Sequence, residues 1–200
     1  MRTTKTYNLI LTAVFTAVTA VLSGLSITIP VTPVPISLAT LGVLLSGGIL
    51  GKKYGSIAML TYTLLGSFGL PIFSGYEGGL SKLVGPTGGY IIGYIACAFI
   101  IGVFVEYSEK RFSKPNLLLI IAGAILGMIA CFTLGTAYFM LQTKTSLIAA
   151  IGMCVLPFLI GDFVKISLAS ILILKLRPLH NMYIQKSVSS ILKNDTLEAK

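Results

Sequence analysis

Long apolar runs, broken at short intervals by proline, glycine and clustered charge, organise this chain. The runs lie near 8–28, 36–51, 54–70, 87–106, 116–140 and 148–174. Most approach the ~20 apolar residues that a spanning helix needs. They predict an all-α integral membrane protein with six transmembrane helices. The second and third runs are short and rich in glycine, which predicts tilted, broken or partly re-entrant helices there. The first run, behind Arg2 and Lys5, is too long for the apolar core of a secretory signal and is followed by further spans, so it reads as a retained first helix. The sequence thus divides into a membrane domain over 1–177 and a polar tail over 178–200, expected to be mobile or a short surface helix.

Basic residues orient this arrangement, because cytoplasmic loops attract Lys and Arg. Twelve fall on one side: Arg2, Lys5, Lys52, Lys53, Lys110, Arg111, Lys114, Lys175, Arg177, Lys186, Lys193 and Lys200. The opposite side has two, Lys82 and Lys144, and Lys165 remains within the last run. The bias predicts that both termini are cytoplasmic.

Composition agrees. Hydrophobic residues make up 55% of the 200 positions and charged residues 10%, against roughly a quarter charged in soluble domains. Mean hydropathy is +0.94. The net charge of +9 is spread through loops between apolar runs, which points to the anionic lipids of the cytoplasmic leaflet and away from nucleic acid. Cys97, Cys131 and Cys154 fall inside apolar runs without metal-ligand spacing and read as buried small hydrophobes. His180 has no second imidazole to work with and receives no role.

Against this background, ionisable residues stand out. Asp162 and Lys165 lie in the last run, three apart and therefore on one helix face. Charges at membrane depth are costly unless they face a cavity or each other, and mark functional sites. The connection from Leu70 to Tyr90 contains six glycines between Gly75 and Gly89 and can fold back as a lid. Its Gly85-Pro86-Thr87-Gly88-Gly89-Tyr90 turn opens the next helix, whose free N–H groups can receive a carboxylate. A stiff segment from Pro30 to Thr40 lies on the same outer side and supplies the hydroxyls of Thr32, Ser37 and Thr40. Ala13 and Ala17 form a small-x-x-x-small spacing that admits a neighbouring helix, internal or external.

In four ordered segments the chain resembles the BioY family, the biotin-specific S components of energy-coupling factor (ECF) transporters. The segments are Pro33 to Gly47, Gly69-Leu70-Pro71-Ile72-Phe73, Gly85 to Tyr90, and Pro157 to Lys165. The resemblance implies an S-component-like bundle in the cell membrane that captures biotin in an outward-facing pocket closed by the 71–86 loop. It implies that Asp162, Lys165 and Gly85, Pro86, Thr87, Gly88, Gly89 and Tyr90 form the site, with ring contacts from Phe73, Tyr76 and Tyr90. Asp162 would accept ureido N–H bonds, and Lys165 or a helix N-terminus would meet the valerate carboxylate. Ala13 and Ala17 match the helix-one pattern where a transmembrane coupling subunit docks. Two ATPase subunits would supply the energy and topple the S component. Ala39 stands where the family often has glutamine, and Glu77 adds an acid to the lid.

No nucleotide site is visible: Gly47 to Lys53 has three residues between its glycines where a phosphate-binding loop has four, and no Ser or Thr follows the lysine. No cofactor or metal is expected. A self-sufficient carrier, with Asp162 binding a proton or sodium ion, is the alternative transporter. An intramembrane enzyme would need partners for Asp162 that the spans do not contain.

Overall fold

The computed structural model describes residues 2–27, 32 and 34–198. Pro30, Val31 and Pro33 of the proline-rich segment lie outside the described residues. Helix α1 (Arg2–Gly24) is followed by a two-stranded antiparallel ribbon, β1 (Ser26–Ile27) with β2 (Ile36–Ser37). Then come α2 (Ala39–Ser67), α3 (Leu80–Val84), α4 (Gly88–Phe112), α5 (Leu117–Thr143), α6 (Leu147–Cys154), a 3-10 turn (Leu156–Phe158) and α7 (Leu159–Glu198).

The predicted second and third spans are the two arms of α2. They meet at Gly51, whose φ of 81° and ψ of 176° reverse the chain. That φ is open to glycine at little cost. A Cβ at Gly55 would lie 2.6 Å from the Cα of Gly47, so the arms pack backbone to backbone beside the turn. Spanning 39–50 and 52–67, they measure about 18 and 24 Å at 1.5 Å per residue, short of a ~30 Å hydrocarbon core. Among the described residues, the segments long and apolar enough to cross fully are Lys5–Gly24, Gly88–Phe112, Leu117–Thr143 and Leu147–Lys186.

Hydrogen bonds set directions. The Thr16 hydroxyl donates to the Ala58 carbonyl at 3.0 Å, and the Tyr62 hydroxyl donates to Ser23 at 2.8 Å. α1 therefore runs parallel to the second arm, and its inward face holds Thr12, Thr16, Thr19 and Ser23, all buried. Its apolar Val14, Val18 and Val21 face outward, as expected where lipid is the solvent. Asn116 caps α5 by accepting the Leu118 N–H at 2.9 Å.

One expectation for the C-terminal third is corrected. The span at 148–174 is not one helix: it breaks at Val155 around Pro157, which has no N–H to continue α6. Pro178, where the polar tail begins, lies inside α7, which runs to Glu198. His180, given no role above, is buried and stacks on Tyr7 with ring centroids 5.7 Å apart, and Tyr183 stacks on the same tyrosine at 4.6 Å. The start of α1 and the His180–Tyr183 stretch of α7 therefore meet at one end of the bundle. The same end holds the Gly51 turn, where Arg177 donates to the Ile49 carbonyl at 2.7 Å and pairs with Glu109 at 2.8 Å. The Gly51 turn, the end of α4 and the 177–183 stretch of α7 are thus gathered in space.

Candidate functional site

A cavity opens at the other end, under the β1–β2 ribbon and the 71–86 loop. Its outer lobe, about 320 Å³, is lined by Ser26, Tyr62, Phe73, Glu77, Lys82, Thr87, Tyr90 and Tyr94 among others. A narrow inner lobe of about 40 Å³ reaches Thr40, Cys131, Phe132, Cys154, Phe158, Asp162 and Lys165. Val34, Pro35, Tyr90 and Tyr94 line both, so the two lobes share walls.

Asp162 stands in the first turn of α7, where the helix dipole favours an anion. Its Oδ1 accepts from Lys165 Nζ at 3.1 Å, and both side chains are buried at 7% exposure. Asp162 Oδ2 and the hydroxyl of Thr40 are buried without a hydrogen-bond partner among the described residues. Buried polar atoms left unpaired are costly, and these two line the same lobe. Cys131 and Cys154 are buried as expected, but as part of the inner lobe's wall.

Of the expected turn, Thr87 and Tyr90 reach the cavity. Gly88 and Gly89 are buried by close approach instead. A Cβ on Gly88 would lie 1.7 Å from the Leu83 carbonyl, and one on Gly89 2.8 Å from that of Leu134. Gly85 accepts the Gly88 N–H at 2.9 Å, and Thr87 accepts that of Tyr90 at 3.1 Å, so the turn itself takes up these two N–H groups. Pro86 is exposed. Tyr90 is held by Thr136, hydroxyl to hydroxyl at 3.0 Å.

Phe73 is buried, with its ring edge-on to Tyr62 at 5.5 Å. Tyr76 instead lies exposed against Gly24, at φ 57°, and does not line the cavity. Ala13 and Ala17 are exposed on α1, so they do not serve internal packing. Glu77 is paired with Lys82 on the cavity's outer wall.

Tyr94, Tyr62 and Lys82 line the site but were not singled out in the sequence. Tyr94 follows Tyr90 by four residues, a spacing that puts both on one helix face.

Residues 1–181 match the BioY family model. The chain belongs to the BioY family. It is 40% identical over 172 residues to the biotin transporter BioY of Thermotoga maritima, covering 86% of this chain and 96% of that one. To the biotin transporter BioY of Lactococcus lactis it is 32% identical over 174 residues, covering 87% and 90%. Its fold matches a crystal structure of the S-component for biotin from an ECF-type ABC transporter. The TM-score is 0.81 at 31% identity, with 89% and 94% of the two chains covered. BioY membership and the long apolar helices make this a multi-pass protein of the cell membrane, and its family is one of transporter components, not enzymes.

Proposed function

We propose that this chain binds biotin from outside the cell and serves as the substrate-binding subunit of an ECF-type transporter, energised by a coupling subunit and two ATPases. The observation behind the choice of site is the unpartnered Asp162 Oδ2, buried beside Lys165 at the end of the inner lobe. A cyclic urea complements that pair: its N–H donates to Oδ2, and its carbonyl accepts from Lys165, which has donors beyond the one given to Oδ1. The same reading puts the thioether ring against Tyr90, Tyr94 and Phe132, where sulfur–aromatic contacts are favourable.

The valerate carboxylate then belongs at the outer lobe. Lys165 is committed to Asp162 at 3.1 Å, so Lys82 is the cation lining the cavity at the far end. An outer lobe of about 320 Å³ falls in the usual range for small-ligand sites. The 71–86 loop would cover the ligand, and Ala13 and Ala17 would meet the coupling subunit.

Calorimetric titration of the purified protein in detergent with biotin, thiamine and riboflavin tests this reading. Binding of biotin alone, lost in Asp162→Asn and Lys165→Ala, is the expected result. A folded protein that ignores biotin would overturn the substrate assignment and favour a carrier for another solute.

A further inference from the structure

Among the described residues that line the outer lobe, Glu77 and Lys82 carry its charges, and they are bonded to each other. Asp162 and Lys165 are likewise paired in the inner lobe. The cavity therefore presents no net charge, and an entering anion finds no cation that is not already engaged. Lys165 cannot change partners cheaply, because its departure would leave a carboxylate buried and uncompensated. Lys82 can: its side chain is 39% exposed and that of Glu77 is 52% exposed, so water can take up the displaced acid. Pairs this exposed are held by a factor of about five or less.

We propose that Glu77 is an internal competitor for the ligand's carboxylate. It occupies Lys82 until an acid arrives, lowers the affinity for that acid, and shortens its residence. The inference rests on the reading above, that the ligand's carboxylate meets Lys82. The backbone suits the role. The Phe73 N–H donates to the Glu77 carbonyl at 2.9 Å, closing a turn through Gly75 at φ 75° and Tyr76 at φ 57°. Phe73 is buried against Tyr62 in the cavity wall. The displaced carboxylate thus stays tethered beside the site and can return to Lys82 when the ligand leaves.

The test compares biotin with its neutral carboxamide by calorimetry and stopped-flow dissociation, on the full chain in detergent at low salt, where charge is least screened. Glu77→Gln should tighten biotin about threefold or more, chiefly by slower dissociation, with the carboxamide unchanged within about twofold. Adding Lys82→Gln to that variant should remove the gain. Equal shifts for acid and amide, or no shift in Glu77→Gln, overturn the inference while leaving biotin binding intact. A wild-type protein that binds neither compound overturns the underlying reading and the inference with it.

Discussion

Lys165 Nζ lies 3.1 Å from one oxygen of Asp162, while the other oxygen of the same buried carboxylate has no partner among the described residues. A carboxylate accepts more than one hydrogen bond, and a fully structural ion pair would have both oxygens satisfied. The asymmetry separates two properties that usually travel together: one half of Asp162 holds α7 neutral, and the other half faces the inner lobe.

Asp162→Asn should therefore weaken biotin binding. Loss of a charge-assisted hydrogen bond costs about 1.5–3 kcal/mol, or roughly 10- to 150-fold in Kd. Lys165→Ala strands a buried carboxylate, as Asp162→Asn strands a buried ammonium, so each single variant also destabilises the fold, by about 3–5 kcal/mol. Pairing Asp162→Asn with Lys165→Met should restore thermal stability but not binding, as read by melting curves and titration side by side.

Gly135→Ala offers a test of the aromatic wall from behind. A Cβ there would fall 2.2 Å from the ring of Tyr90, so the ring, which lines the cavity, or the α4–α5 contact must shift. Overpacking of this kind costs about 1–3 kcal/mol, and here it should appear as a loss of ligand affinity of about tenfold or more. Gly152→Ala meets no atom within 4 Å and is the control. Equal Kd values for the two variants would show that Tyr90 does not contact the ligand.

The membrane architecture was readable because lipid requires long apolar runs, and the charged pair because Asp162 and Lys165 are anomalies within one. The same uniformity hides which side of a run faces inward. Tyr94 lies in a span that is apolar all round, so no polar face marked it as cavity-lining. Lys82 was visible as a charge in a loop, but its pairing with Glu77 depends on a turn at Gly75 and Tyr76 that residue counting does not reveal. Pro157 and Pro178 read alike in sequence. The chain breaks beside the first and stays helical through the second, where the neighbouring Arg177 and Asn181 both anchor α7 to Glu109.

At the basic end, Gly51→Ala should destabilise without touching the site. The left-handed φ of 81° strains any Cβ, and that Cβ would sit 2.6 Å from Glu106 Oε1. Strain of this type costs about 1–3 kcal/mol. The melting temperature should fall, while the biotin Kd measured well below it stays within about twofold. A larger change in Kd would mean that the Gly51 turn and the outward cavity are conformationally linked.

Ala13 and Ala17 make the converse prediction, of a protein that binds normally and does not transport. Both are exposed on α1, one turn apart, between bulkier outward residues such as Val14 and Val18. A close helix–helix contact needs small residues at such positions. A tryptophan there meets only lipid in the isolated subunit but prevents a partner helix from approaching. Ala13→Trp and Ala17→Trp should leave biotin affinity in detergent unchanged and abolish both co-purification with the coupling subunit and ATP-driven uptake in reconstituted vesicles. Retained uptake with full co-purification would place the docking surface elsewhere. Uptake that survives removal of the ATPases but collapses with an ionophore would instead identify a self-sufficient carrier.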